Sequence, residues 1–345
     1  MKAKTTTQYL AINLIIITLI QCIMTHNIPT KKPNRYRIDL DQPLEPQYAK
    51  VYQDYVKPLE DYKNFLMSHA EINYYFGWSK YLSFFQSTEW HNQINMYAKI
   101  SNLGKEFFTV YNMAYDVACT SIIVRNKENQ VYMGRNLDYS GAKELATLAV
   151  EYEMYRDNKL QYISVGSFGF LGIYNAIVPG QYVVSINQRE TSTTSYNLMR
   201  FCFGFRDPLY NLHQVVEKAN NYNDAFKLLS ETYLNAPVYY IISGVKNNEG
   251  AVIARHYNKP ALIDYLTDDI WFLVQTNYDR NLPDPEQDYR RVPAENKIKA
   301  FGSDLKINDL FDVVLSQSPN FKDSTILTVL TSAQDNSFNT TVYLR

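Results

Sequence analysis

A cysteine heads the run Cys119-Thr120-Ser121-Ile122-Ile123-Val124, and Gly134-Arg135-Asn136-Leu137-Asp138 follows it closely. The β-branched run reads as one strand and Gln130 to Met133 as a second. Between them, Arg125-Asn126-Lys127-Glu128-Asn129 is polar and suits a hairpin turn. Such a hairpin returns Arg135 and Asp138 toward Cys119. A thiol flanked by a fixed cation and a fixed anion is one way to make cysteine reactive at modest pH.

Other chemistries find less support. His26, His69, His91, His213 and His256 are scattered and show no paired ligand spacing, so no metal site is expected. A P-loop and a dinucleotide glycine fingerprint are absent. Gly166-Ser167-Phe168-Gly169-Phe170-Leu171-Gly172 reads as a tight turn or a close backbone approach near a pocket. A Cys-His protease is the obvious alternative for a reactive thiol, but Cys119 lacks the local setting expected there. Without a histidine partner another base is needed. An N-terminal cysteine supplies its own α-amine, with a reference pKa of about 7.7–8.0. That base requires cleavage between Ala118 and Cys119. Composition alone does not show such a cut, and a lone cysteine at a strand start also reads as a small buried hydrophobe.

The elements that must position these groups come from a chain of 345 residues, 46% hydrophobic, enough for a large core. Net charge is -1 with no long basic tract, which argues against nucleic acid as the main partner. Lys2 and Lys4 precede an apolar run from Leu10 to Met24, so residues 1–25 read as a signal peptide. Cys22 leaves with it, and Cys119 and Cys202 form one disulfide or none. The sequon Asn339-Thr340-Thr341 makes Asn339 the glycosylation candidate of a secretory chain.

Pro29 to Pro46 reads as an extended lead-in and Tyr48 to about Lys99 as helical. Tyr74, Trp78, Tyr81 and Phe85, spaced four, three and four apart, share one helical face. That stripe reads as packed on the core, with an exposed face touching membrane as the alternative. Further strands are expected at Leu145–Tyr152, Gln161–Val165, Tyr182–Ile186, Val238–Ile242, Ala251–Arg255, Ala261–Tyr265, Ile270–Gln275, Thr325–Leu330 and Thr341–Leu344. Helices are expected from Asp207-Pro208, from Asn223-Asp224 through Glu231, and near Asn308–Ser316. The pattern is α+β, with antiparallel sheets and helices outside.

Cys119-Thr120-Ser121-Ile122 with Gly134-Arg135-Asn136-Leu137-Asp138-Tyr139 resembles the acid ceramidase and N-acylethanolamine-hydrolysing acid amidase family. These are N-terminal-nucleophile cysteine hydrolases. Gln275-Thr276-Asn277-Tyr278-Asp279, Asp288-Tyr289-Arg290-Arg291 and Arg35-Tyr36-Arg37-Ile38-Asp39-Leu40-Asp41 resemble further segments of the family, in order. The resemblance covers nearly the whole chain after the signal. It implies an αββα sandwich with an N-terminal helical small-chain segment, and a precursor that cuts itself before Cys119. The small chain would be residues 26–118 and the large catalytic chain residues 119–345, remaining associated. No cofactor is implied.

On that resemblance, the Cys119 thiolate attacks a lipid amide carbonyl and forms a thioester, and its α-amine carries the proton to the leaving amine. Asp138 is expected to orient the α-ammonium group, and Arg135 to hold Asp138 or favour the thiolate. Asn277 is expected in an oxyanion hole. The alternatives are a structural Arg135–Asp138 ion pair and a turn-forming Asn277. Asn187-Gln188-Arg189 departs from the family's Asn-Glu-Arg, and Gln188 keeps an acceptor but loses the charge. The expected activity is hydrolysis of fatty-acyl amide lipids, ceramide to sphingosine and fatty acid, in a lysosomal or secreted protein. The alternatives are an N-acylethanolamine amidase and a catalytically impaired lipid-binding relative, the latter motivated by Gln188. Acid conditions add a demand, because an ordinary α-amine is protonated there and is no base.

Overall fold

The structure, a computed structural model, describes residues 28–113 and 118–345. The signal peptide expected over 1–25 lies outside the described residues. Five helices lead in: α1 (Leu44–Tyr52), α2 (Val56–Met67), α3 (Ala70–Leu82), α4 (Thr88–Ser101) and α5 (Lys105–Tyr111). Later come α6 (Ala142–Thr147), α7 (Thr194–Cys202), α8 (Pro208–Lys218), α9 (Tyr222–Glu231), α10 (Arg291–Phe301) and α11 (Ile307–Leu310).

One sheet has six strands, in the order β1 (Thr30–Lys31), β14 (Ser337–Tyr343), β13 (Thr325–Ser332), β4 (Val131–Asp138), β3 (Ala118–Arg125), β12 (Phe272–Gln275). The other has eight, in the order β11 (Pro260–Tyr265), β10 (Gly250–Arg255), β9 (Val238–Gly244), β8 (Tyr182–Gln188), β7 (Asn175–Val178), β6 (Lys159–Ser167), β5 (Ala149–Arg156), β2 (Asn34–Asp39). Among the strands of the described residues only β2 on β5 pairs in parallel, apart from an isolated parallel bridge between Arg206 and Leu234.

Strand alternation builds the layers. Ile122 and Val124 of β3 face outward and bury against Ile298 of α10 and Leu310 of α11. Ile123 and Met133 face the other way, into the large core that also holds Val183 and Ile241. Helices α8 and α9 cover the far face of the eight-stranded sheet. This is the αββα sandwich of the N-terminal-nucleophile type, and the helical segment α1–α5 packs alongside it.

Local sequence sets the start of α8 as expected, and other ends differ. Asp207 accepts from Leu209 N and Tyr210 N and starts α8, with Pro208 in its first turn. The cap of α9 is Asn221, two residues earlier than the Asn223 start. The long helical stretch is four helices, with α4 opened by Ser87, which accepts from Trp90 N, and closed by Asn102 at φ 58°. The strand expected at Leu145–Tyr152 is the end of α6 followed by β5, because Ala142-Lys143-Glu144-Leu145-Ala146 are good helix formers. The helix near Asn308–Ser316 is α11 followed by a wider turn over Phe311–Leu315. Cys119 and Cys202 are both free thiols, so the disulfide option falls.

The aromatic stripe does not face the core. Trp78 is 50%, Tyr81 71% and Phe85 61% exposed, and the side chain of Tyr74 lies outside the described residues. Helix α3 ends at Leu82, so it presents Trp78 and Tyr81 to solvent, while Phe85 is exposed on the turn that follows. Among the described residues, no helix is long and apolar enough to cross a membrane.

Candidate active site

The β3–β4 hairpin forms as the sequence predicts. Asn126 Oδ1 accepts from Glu128 N and Gln130 N, and Asn129 turns the chain at φ 62°. The register sets Ser121 opposite Arg135, Cys119 opposite Leu137 and Ala118 opposite Asp138. Arg135 and Asp138 are three residues apart in one strand, so they project from opposite faces.

Arg135 projects inward with Cys119. Its Nη2 lies 2.9 Å from Cys119 Sγ, and its Nη1 donates to Tyr174 O at 2.5 Å and Asn175 Oδ1 at 3.2 Å. Ser121 Oγ, on the same face, donates to Asn187 Oδ1 at 2.7 Å. Asn187 Nδ2 in turn donates to Gln275 O and Thr276 O, tying β8 to β12 beside the hairpin. Cys119 is fully buried in this uncut chain. Burial pushes its thiol above the ordinary value, while Arg135 pulls it down.

Asp138 projects outward. Its Oδ1 accepts from Thr325 Oγ1 at 2.6 Å, and its Oδ2 lies 3.4 Å from Arg290 Nη1. Burial raises the Asp138 carboxyl above its ordinary value against the pull of Arg290 and Thr325. The cation beside Asp138 is therefore Arg290, and the structural Arg135–Asp138 ion pair offered as an alternative does not form.

Arg290 joins the two faces. Nη1 donates to Cys119 O at 2.8 Å and Nη2 to Asn277 Oδ1 at 2.6 Å. Its Nε and Nη2 also grip the Asp288 carboxylate, at 2.6 and 2.5 Å. Lys322 Nζ lies 2.6 Å from the same carboxylate. Burial works against the charged Arg290, but Asp288 and Asp138 outweigh it and hold the guanidinium above its ordinary value.

Asn277 Oδ1 also receives Cys119 N–H at 2.9 Å, and Asn277 Nδ2 donates to Gln188 O at 2.9 Å. Two donors on Oδ1 and a carbonyl facing Nδ2 fix the amide orientation. Gln188 thus meets the site through its backbone, and its side chain is half-buried. Next to it, Arg189 pairs with Asp279 at 2.7 and 2.8 Å, which anchors the Thr276–Asp279 segment on β8. The sequence placed Cys119, Arg135, Asp138, Asn277 and Gln188 in one site, and the structure brings all five together. In the sequence Arg290 stands out only as part of the segment Asp288-Tyr289-Arg290-Arg291. Its contacts, like those of Thr325, Lys322 and Tyr174, cross sequence separations that no local pattern reports. Among the described residues, no group of three His, Cys, Asp or Glu side chains converges as a metal site.

The chain is similar to known proteins over much of its length. The profile of linear amide C–N hydrolases of the choloylglycine hydrolase family matches residues 119–278. The N-acylethanolamine-hydrolyzing acid amidase of Caenorhabditis elegans is 31% identical over 291 residues, 79% of this chain and 81% of that protein. The amidase of the same name from Oryctolagus cuniculus is 35% identical over 67% of this chain and 66% of its own length. Acid ceramidase of Bos taurus is 30% identical over 71% of this chain and 64% of its own. The solved structure of the Caenorhabditis elegans N-acylethanolamine-hydrolyzing acid amidase ortholog superposes with a TM-score of 0.59 at 28% identity, covering 66% of this chain and all of that one.

Proposed function

The chain belongs to the acid ceramidase and N-acylethanolamine-hydrolysing acid amidase family of linear amide C–N hydrolases, and from this we propose that it is a self-processing amidase of fatty-acyl amide lipids. One observation carries the reading: both reactive ends of Cys119 are held, Sγ by Arg135 and N by Asn277 Oδ1, each at 2.9 Å. The family profile also begins its match on this residue.

In the precursor, Sγ attacks the Ala118 carbonyl carbon, the C–N bond to Cys119 breaks, and the nitrogen leaves with a proton. Water then hydrolyses the thioester, leaving residues 26–118 and a chain that starts at Cys119 with a free α-amine. Asn277 Oδ1 already faces that nitrogen and would hold the amine. In each turnover the thiolate attacks the lipid amide, the α-amine passes its proton to the leaving amine, and water releases the fatty acid. The Asn277 amide group would be the donor for the developing oxyanion. Asp138, fixed by Arg290, carries the negative charge that steadies the α-ammonium state. Arg135 favours thiolate over thiol and offsets the burial that opposes it. Gln188 contributes its carbonyl to Asn277, a contact that survives the change from glutamate.

The substrate arrives in a lipid surface. Beside Trp78, Tyr81 and Phe85 of the predicted stripe, Phe84, Phe203 and Met199 are also exposed, with Phe84 against Phe85 and Phe85 stacked on Phe203 at 6.4 Å between ring centres. Helix α7 carries Met199 and starts six residues after Gln188 in the chain. An aromatic, largely uncharged face of this kind suits the membrane interface. Asn339 is exposed on β14 and open to glycosylation. Passage through the secretory pathway to a lysosomal or extracellular acid compartment fits that sequon and the word acid in the relatives' names.

Turnover of N-palmitoylethanolamine and of a ceramide by the processed protein tests the assignment. The relatives named for N-acylethanolamine reach the higher identities, so the ethanolamide is expected to be the better substrate. Faster ceramide turnover would reverse that order. Binding of both lipids with hydrolysis of neither would favour the impaired relative that Gln188 suggests.

A further inference from the structure

A buried side chain upstream of the Ala118–Cys119 bond is hydrogen-bonded to a turn far along the sequence. Asn112, buried at the end of α5, stands six residues before Ala118. Its Nδ2 donates to Phe108 O at 2.8 Å and to Gly169 O at 3.1 Å, and its Oδ1 accepts from Leu171 N at 2.6 Å. The glycine-rich turn at Gly169–Leu171 is built for this approach. Gly169 has φ +83°, and a Cβ there would come within 2.8 Å of the Phe108 ring. Phe168 stacks on Tyr55 of α2 at 5.1 Å, and Phe170 meets Tyr111 of α5 at 5.5 Å. From the other side, His213 Nδ1 sits 2.7 Å from Leu171 O. The turn then leads directly into Tyr174, whose carbonyl takes Arg135 Nη1.

We propose that Asn112 is a positioning residue: it latches the segment carrying the Ala118–Cys119 bond onto the Gly169–Leu171 turn, and through Tyr174 keeps Arg135 aimed at the Cys119 thiol. This rests on the self-processing reading above. Before the cut, the latch holds the end of α5, from which the chain runs on to Cys119. After the cut, it keeps the new small-chain terminus docked, where nothing covalent remains. The latch uses both Nδ2 hydrogens and the Oδ1 of Asn112, a role that alanine cannot fill and aspartate fills only at Leu171 N.

The test uses the full chain as wild type, Asn112→Ala and Asn112→Asp, with Ser332→Ala as a control for lost buried hydrogen bonding far from the thiol. Intact mass reads the rate of appearance of a chain starting at Cys119 across the acid range. Turnover of N-palmitoylethanolamine by the cut protein gives kcat and KM. Asn112→Ala is expected to process on the order of 10²-fold more slowly, the cost that an ångström-scale misplacement carries. Its pH–rate profile should shift upward and kcat should fall at nearly constant KM. Asn112→Asp should fall between, and Ser332→Ala should lower Tm without moving the profile. A cut wild type beside Asn112→Ala or Asn112→Asp variants with wild-type profiles overturns the latch alone. If Asn112→Ala does not fold, Asn112→Asp decides. A wild type that stays intact overturns the self-processing reading and the latch together.

Discussion

On the inner face of the β3–β4 hairpin the Cys119 thiol lies against Arg135, whose other bonds go to Tyr174 O and Asn175 Oδ1. On the outer face Asp138 lies against Arg290, which also grips Asp288. One face tunes a nucleophile with a cation held by neutral acceptors, and the other balances buried charge with buried charge. Two guanidiniums of equal burial therefore do different work. Arg135 gives reactivity, and Arg290 gives integrity while steering Cys119 O and Asn277.

The same substitution on the two faces should break this comparison most visibly. Arg290→Met leaves Asp138 without its cation and Asp288 with Lys322 alone, and should cost about 3–5 kcal/mol of stability, read from urea midpoints. Arg135→Met removes a buried cation that has no carboxylate among its hydrogen-bond partners. It should lose less stability and more activity, falling by on the order of 10²-fold or further. Equal stability losses from the two variants would erase the distinction.

Asn277 touches both faces, so Asn277→Ala should cut kcat with a transition-state loss of about 2.7–4 kcal/mol and slow self-cleavage in parallel. Loss of only one of these activities would separate its two proposed roles.

Asp207 sharpens the contrast as a buried carboxyl held by backbone N–H groups instead of a guanidinium. Burial, against the bonds from Tyr210 N and Leu209 N, pushes it up to about 7. The folded chain therefore binds this proton more tightly than the unfolded chain. Stability falls as pH rises from the ordinary carboxylate value of about 4 toward about 7, at up to about 1.4 kcal/mol per pH unit. Asn also caps helices well, so Asp207→Asn should remove this slope and keep α8. A thermal scan against pH reads it, and parallel slopes for the two proteins would refute it.

The smallest effect belongs to the exposed stripe. Trp78→Ser and Phe85→Ser should change stability by no more than about 0.5 kcal/mol, as surface positions do, yet lower sedimentation with anionic vesicles. Unchanged vesicle binding would remove the membrane role.

The hairpin was readable because β-branched residues flank a polar turn, and pairing follows from that pattern alone. The αββα arrangement and the five site residues came from motifs taken in order. What stayed hidden was direction and distance. Periodicity found the Trp78 stripe but not which side of α3 was solvent. Alternation could have placed Arg135 and Asp138 on opposite faces, and proximity in sequence suggested a pair instead. Strand β2 is charged along its length, and the apolar run of β7 is only Ala176-Ile177-Val178, too short to stand out as a strand. Arg290 reaches Cys119 O across 171 positions, a contact set by packing alone.

The central claim is that Cys119 is a masked N-terminal nucleophile. Intact mass and N-terminal sequencing of wild type and Cys119→Ala after acid incubation test it most directly. Wild type should yield a chain starting at Cys119 and gain activity in step with it, while Cys119→Ala stays whole and inactive. A wild type that hydrolyses lipid amide while still uncut, or a Cys119→Ala chain cut at the same bond, would contradict it.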